Sequence, residues 1–142
     1  MADRVLVPVD WSEQAEAACD LVFEEFPGAT MVLLHVINPA EAGFSTQAAI
    51  PSASEDWYDQ EKERAEALFD DIEERAAERG VEVERELQVG RPTTTIVEYA
   101  EDNDIDHIVM GSHGRQGVTR ILLGSVTETV VRRSPVPVTV VR

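Results

Sequence analysis

Ile108-Val109-Met110-Gly111-Ser112-His113-Gly114-Arg115-Gln116-Gly117 runs through Val118-Thr119-Arg120-Ile121-Leu122-Leu123 to Gly124-Ser125-Val126-Thr127-Glu128. An apolar run, read as a strand, enters a glycine-rich stretch spaced G-x2-G-x9-G-S. A helical pattern leaves it at Ser125. Glycines at a strand-to-helix junction let backbone N–H groups approach an anion closely. Gly111 and Gly114 permit tight backbone conformations, and Gly124 lets the chain approach at the helix start. Ser125 offers its N–H, its hydroxyl and the positive end of the helix dipole. These residues read as a phosphate cradle. His113 stands between the glycines, where donation to phosphate and a solvent-facing place are both open. Arg115 and Arg120 either add charge or lie on the surface.

Two better-known cradles are excluded. A P-loop needs G-x4-G-K-[ST], and this stretch has no lysine. A dinucleotide fingerprint needs G-x-G-x-x-G after the first strand. The first turn, Pro8-Val9-Asp10-Trp11-Ser12, has no glycine. The plain alternative is a loop that only turns a corner. Four glycines between positions 111 and 124 exceed what one corner needs.

Working outward, Arg4 to Val9 is a short buried strand. Asp10-Trp11-Ser12-Glu13 resembles a capping box with Asp as the cap. A helix follows to about Phe26, with Ala15, Ala18, Leu21, Val22 and Phe26 on one side, and Pro27-Gly28 stops it. Thr30 to Ile37 is a second continuous apolar strand. Residues 38–54 form a long loop, a candidate lid or partner surface. From about Ser54 to Arg79, Ala65, Leu68, Phe69, Ile72 and Ala76 keep helical spacing among charged neighbours. Val81, Val83, Leu87 and Val89 alternate with Glu82, Glu84 and Glu86, the pattern of a strand at a sheet edge. Pro92 starts a helix that Asn103 ends. Asp106 to Met110 is the fourth strand. Ser125-Val126-Thr127-Glu128 reads as a second capping box, opening a helix to about Arg133. Val136 to Val141 is the fifth strand, placed at an edge because Pro137 cannot donate to a ladder.

Strands alternating with helices predict an α/β domain, residues 1–142, with a parallel sheet covered on both faces. Right-handed crossovers then place a ligand crevice at the carboxyl ends of the strands, where the winding reverses. Strand one ends at Pro8-Val9-Asp10 and strand four at Met110-Gly111. Adjacent strands would bring both tips to one crevice.

The chain carries 28 acidic and 12 basic residues, a net charge of −16, with Lys62 its only lysine. Nucleic acid is an unsuitable partner for such a chain. Acid excess with lysine scarcity predicts a halophilic protein, since salt screens the self-repulsion. Residues 107–142 hold five arginines and one acid, a net +4, which leaves −20 on residues 1–106. The glycine stretch thus lies in the one basic part of an acidic protein. No apolar run is long enough to span a membrane, and the first residues lack a signal-peptide pattern, so a cytoplasmic protein is expected. Cys19, the lone cysteine, reads as a buried structural thiol. His35, His107 and His113 have no metal-ligand spacing. No catalytic acid/base pair stands out from the solvated carboxylates.

Gly111, Gly114, Gly124 and Ser125 together match the G-x2-G-x9-G-[ST] signature of the universal stress protein family. The chain resembles that family over nearly its whole length. The likeness includes the Val9-Asp10 strand end, Leu34-His35-Val36, Gly90-Arg91-Pro92 and the Pro135-Val136-Pro137-Val138 tail. The resemblance implies a five-stranded parallel sheet in the order 3-2-1-4-5. It also implies an ATP-binding subgroup with ATP between strands 1 and 4. On that likeness Asp10 binds ribose hydroxyls, with Pro8 and Val9 beside the nucleoside and Val36 meeting adenine through its backbone. Met110, Gly111, Gly114, Gly124, Ser125 and Val126 line ribose and phosphates, and His113 is a weaker member of the set. For Asp10 a helix cap and ribose binding are compatible, one carboxylate oxygen serving each. The function expected is a stress-response or signalling module that holds ATP with Mg2+ and works as a homodimer through strand 136–141. A slow ATPase or nucleotidyl-transfer enzyme, and a non-nucleotide dimeric interaction protein, are the alternatives.

Overall fold

The computed structural model describes residues 3–42, 51–112 and 124–142. Strands β1 (Arg4–Pro8), β2 (Thr30–Ile37), β3 (Val83–Val89), β4 (His107–Gly111) and β5 (Val138–Val141) alternate with helices α1 (Glu13–Glu25), α2 (Pro51–Glu78), α3 (Pro92–Asp102) and α4 (Ser125–Arg133). A short 3-10 turn, Pro39–Ala42, follows β2. The strands form one parallel sheet in the order β3-β2-β1-β4-β5, as the resemblance implies.

The central strands are largely apolar because both their faces are covered. Val5, Leu6 and Val7 of β1 are fully buried. Odd and even residues of a strand point to opposite faces. Val5, Val7, Met31 and Leu33 therefore pack with Ala18, Cys19 and Val22 of α1 and with Ala65, Phe69 and Ile72 of α2. Leu6, Val32, Leu34 and Ile108 pack on the other face with Ile96, Val97 and Ala100 of α3 and Val130 of α4. The edge strands β3 and β5 have no fully buried residue. Val89, expected on the buried side of β3, is instead 52% exposed at the strand's end.

Helix α2 and strand β5 start away from their expected positions for local reasons. Helix α2 begins at Pro51, three residues before the expected Ser54, because a proline fits the first helical position without losing a bond. It closes on Gly80, whose φ of +70° is the left-handed conformation, and the Val81 N–H then bonds the Ala76 carbonyl. Strand β5 begins at Val138, since Pro137 has no N–H, although its carbonyl accepts from Ile108 N–H at 2.9 Å. Of the 38–54 loop, the candidate lid, residues 43–50 lie outside the described residues, Pro39–Ala42 form the 3-10 turn and the last residues belong to α2. Among the described residues no helix is long and apolar enough to cross a membrane.

The sheet opens at one level. Strands β1 and β4 pair only at Val5–His107 and Leu6–Ile108. Beyond Leu6, β1 stays with β2 up to Pro8–Leu34, while β4 stays with β5 up to Gly111–Val141. The two tips therefore part above Leu6 and Ile108, at the reversal of winding. This is the crevice expected from the alternation of elements.

Phe69 anchors α2 to the sheet at 2% exposure. Phe69→Ala is expected to lower unfolding free energy by about 3–5 kcal/mol. Denaturant titration at one fixed salt concentration measures it, and a loss below about 1 kcal/mol would contradict this placement of the helix.

Candidate functional site

One lip of the crevice is the end of β1. Val9 N–H donates to the Leu34 carbonyl at 2.8 Å, and the Val9 carbonyl lies 2.7 Å from His35 Nδ1. A carbonyl only accepts, so Nδ1 carries the proton. The His35 ring meets Trp11 edge-on with centroids 4.9 Å apart. The Arg64 guanidinium of α2 lies 4.2 Å over the Trp11 ring, a cation–π contact. Asp10 Oδ1 accepts from Ser12 N–H at 2.8 Å, which is an Asx turn. Ser12 then caps α1, its Oγ accepting from Ala15 N–H. Asp10 is therefore not the helix cap the sequence suggests. The Asx turn spends two residues before the helix starts and moves the capping duty to Ser12.

A cavity of about 140 Å³ opens on the α1–α2 side of this tip, over Val9 and Ile72. Its rim holds Asp10, Glu16 and Asp71 against Arg75. Arg75 is already paired with Glu16 and Asp20. That balance disfavours a phosphate in this cavity.

The opposite lip joins β4 to α4. Gly111 pairs with Val141, and Ser112 N–H donates to the Val141 carbonyl at 2.7 Å. A Cβ on Gly111 would sit 2.6 Å from Gln14 Cβ and 2.9 Å from the Gln14 carbonyl carbon. The glycine here makes room for the first turn of α1. Its φ is not in the left-handed region. Gly124 is the N-cap of α4, in an extended conformation, and its N–H donates to the Ser112 carbonyl at 2.8 Å. The two ends of segment 113–123 are thus tied together. Ser125 is the first helical residue and not a cap, so the expected capping box is not formed. Its carbonyl accepts from Thr129 Oγ1, and Glu128 pairs with Arg132. The first amides of a helix have no partner within it, so those of Ser125, Val126 and Thr127 face out from the helix start. Thr127 Oγ1, almost fully buried, donates to the Gly111 carbonyl at 2.8 Å and fastens α4 to the β4 tip.

The structure brings Pro8, Val9 and Asp10 to one lip and Gly111, Gly124 and Ser125 to the other. Met110 is 5% exposed, with its side chain in the core beside α3 and α4, so only its backbone faces the tip. Val36 and Val126 pack partly against that same core. His113 and Gly114, with Arg115 and Arg120, lie outside the described residues. Ser12, His35, Trp11, Arg64 and Thr127 were not anticipated as parts of this region. His35 carried a signal as a polar residue inside an apolar strand run, and Ser12 carried one as a good helix cap.

The remaining reactive groups sit away from the crevice. His107, at the far end of β4, bonds Thr139 Oγ1 at 2.7 Å, and burial lowers its pKa below the ordinary 6.5. Cys19 is buried, as expected, and burial pushes its thiol up to about 12, which makes it inert. Among the described residues no three His, Cys, Asp or Glu side chains gather as a metal site.

The family model described as "Universal stress protein family" matches residues 1–142. The chain is similar to universal stress protein MJ0577 of Methanocaldococcus jannaschii, with 36% identity covering all of this chain and 96% of that protein. The solved structure of MJ0577 superposes with a TM-score of 0.86 at 35% identity, covering 98% of this chain and 94% of that one. Universal stress protein UspA from Lactobacillus plantarum superposes with a TM-score of 0.84 at 30% identity, covering 99% and 97%. A universal stress protein family protein from Arabidopsis thaliana, solved with AMP bound, reaches a TM-score of 0.71 over 98% and 90%, at 21% identity. At that identity the likeness is one of fold.

Gly111→Ala forces its new methyl group against Gln14 and is expected to cost about 1–3 kcal/mol of stability. Equilibrium unfolding measures it. An unchanged midpoint would show that α1 does not rest on the β4 tip.

Proposed function

Because the chain belongs to the universal stress protein family, we propose that it is a stress-response module that holds ATP with Mg2+ between β1 and β4. Its output is occupancy, not turnover. The parting of β1 and β4 above Leu6 and Ile108 carries this reading. The gap has two lips of different chemistry, matched to the two ends of a nucleotide.

A ribose is a neutral diol whose hydroxyls donate to a carboxylate, and Asp10 supplies one. Phosphates favour amides that have no partner within a helix and the positive end of its dipole, and the start of α4 supplies both. Pro8 and Val9 border the nucleoside, and the Val36 backbone meets adenine. The backbones of Met110 and Gly111 and the Gly124-Ser125-Val126 helix start line ribose and phosphates. His113 and Gly114, outside the described residues, are assigned to the same set on the glycine signature alone. Mg2+ arrives on the phosphates, a role in which it keeps several waters and needs few protein ligands.

The protein is proposed to work as a homodimer through strand 136–141. Strand β5 is an edge of half-buried valines, and an edge with free backbone groups invites a second chain. A cytoplasmic, high-salt setting suits its charge of −16.

Calorimetry with MgATP, at a salt concentration where the protein is folded, is expected to show saturable binding. Asp10→Ala is expected to weaken it by about tenfold or more, and Gly114→Val to abolish it. Absence of binding by both ATP and AMP would remove the nucleotide reading. Thermal unfolding is expected to shift upward between 0.1 and about 3 M KCl as repulsion is screened. A melting temperature indifferent to salt would refute the halophilic reading.

A further inference from the structure

We propose that His35 is the positioning residue of the nucleotide crevice, holding the Val9–Asp10 peptide in the orientation that ligand binding needs. This rests on the nucleotide reading above. His35 lies one residue before Val36 on β2, with its side chain on the α1–α2 face, as odd residues of the sheet are. It is 6% exposed, and its Nδ1–H reaches the Val9 carbonyl at 2.7 Å.

That bond falls at the first residue beyond the β1 ladder. Pro8 is the last residue of β1 paired with β2. Above it the tip is held to β2 by two bonds, Val9 N–H to Leu34 and His35 to the Val9 carbonyl. The first fixes Val9 itself. The second fixes the peptide that follows it, and that peptide carries the Asp10 backbone. No peptide bond here is cis, and in a trans peptide the carbonyl and the next N–H point in opposite directions. Drawing the Val9 carbonyl toward β2 therefore turns the Asp10 N–H away from β2. The crevice lies on that side of β1, between β1 and β4. The direction in which Asp10 leaves the strand is set by the same peptide.

The ring is itself held in place. Trp11 packs edge-on against it, and Arg64 covers Trp11 from α2. Supporting groups of this kind keep a binding constellation within its productive geometry. A merely space-filling residue at this position would not need a proton on Nδ1. The hydrogen bond requires that tautomer, and it is the one an isolated histidine favours less.

Two measurements test the role. Ring-nitrogen NMR of the ligand-free protein is expected to show His35 protonated at Nδ1. An Nε2–H ring would overturn the proposal whatever the protein binds. Calorimetry with MgATP then compares two variants, each at a salt concentration where it is folded. His35→Leu keeps the bulk and removes the donor, and is expected to weaken binding about tenfold. His35→Asn places an amide N–H near the position of Nδ1, and is expected to recover affinity to within about threefold of the unmodified protein. Equal affinity for His35→Leu and the unmodified protein would overturn the positioning role and leave the nucleotide reading standing. Equal loss in both variants would reduce His35 to a packing residue. Failure of the unmodified protein to bind ATP or AMP would remove the nucleotide reading, and this role with it.

Discussion

The parting of β1 from β4 is the constraint on which the rest depends. A parallel sheet normally pairs its central strands along their length, because an unpaired buried backbone group is costly. Here pairing stops at Leu6 and Ile108, although both strands continue. The backbone groups on the outer side of each tip stay paired. Val9 turns to Leu34 and His35, and Ser112 turns to Val141. Each tip is thus stabilised by its outer neighbour. A crevice made this way is part of the ladder and does not depend on a mobile loop for its floor.

Helix α1 makes that arrangement rigid. Its first turn rests against Gly111, so the helix that leaves β1 also touches the tip of β4. Any side chain at 111 would push the two lips apart or the helix outward. Thr127 ties α4 to the same glycine's carbonyl, and Gly124 ties the start of α4 to Ser112. The start of α4 is fixed at two points by bonds within the protein itself. Preorganisation of this sort lowers the cost of ordering on binding.

Much of this was legible in the residues. The largely apolar runs of β2 and β4, the half-charged β3 and the proline before β5 are direct consequences of burial, and they placed central and edge strands correctly. The glycine spacing located the β4–α4 junction. The details of the junction were not legible, for physical reasons. Asp10 and Ser12 are both good caps, and only the Asx turn decides between them. Ser125 and Gly124 compete in the same way, and the bond from Gly124 to Ser112 decides for the glycine. Gly111 looked like a residue chosen for backbone freedom. Its reason is the closeness of Gln14, a contact between residues almost a hundred positions apart that no local pattern encodes. Arg64 on Trp11 is hidden in the same way among the charged residues of α2.

The charge distribution joins these parts into one physical problem. A polyanion approaching a chain of net charge −16 meets repulsion that acts over about a Debye length, roughly 10 Å at 0.1 M salt and 3 Å at 1 M. The attraction available at the crevice is of another kind. Amides and a helix dipole act at contact distance, within the first turn of α4, and salt screens contacts at that range much less than the field of distant carboxylates. Raising the salt therefore removes the long-range opposition faster than it weakens the short-range hold. A cradle built on lysines would lose affinity under the same conditions, as multiple phosphate contacts by exposed cations do. An acidic surface and a backbone cradle without lysine are thus consistent with each other. On the proposed reading, both would suit a protein that meets phosphates in concentrated salt.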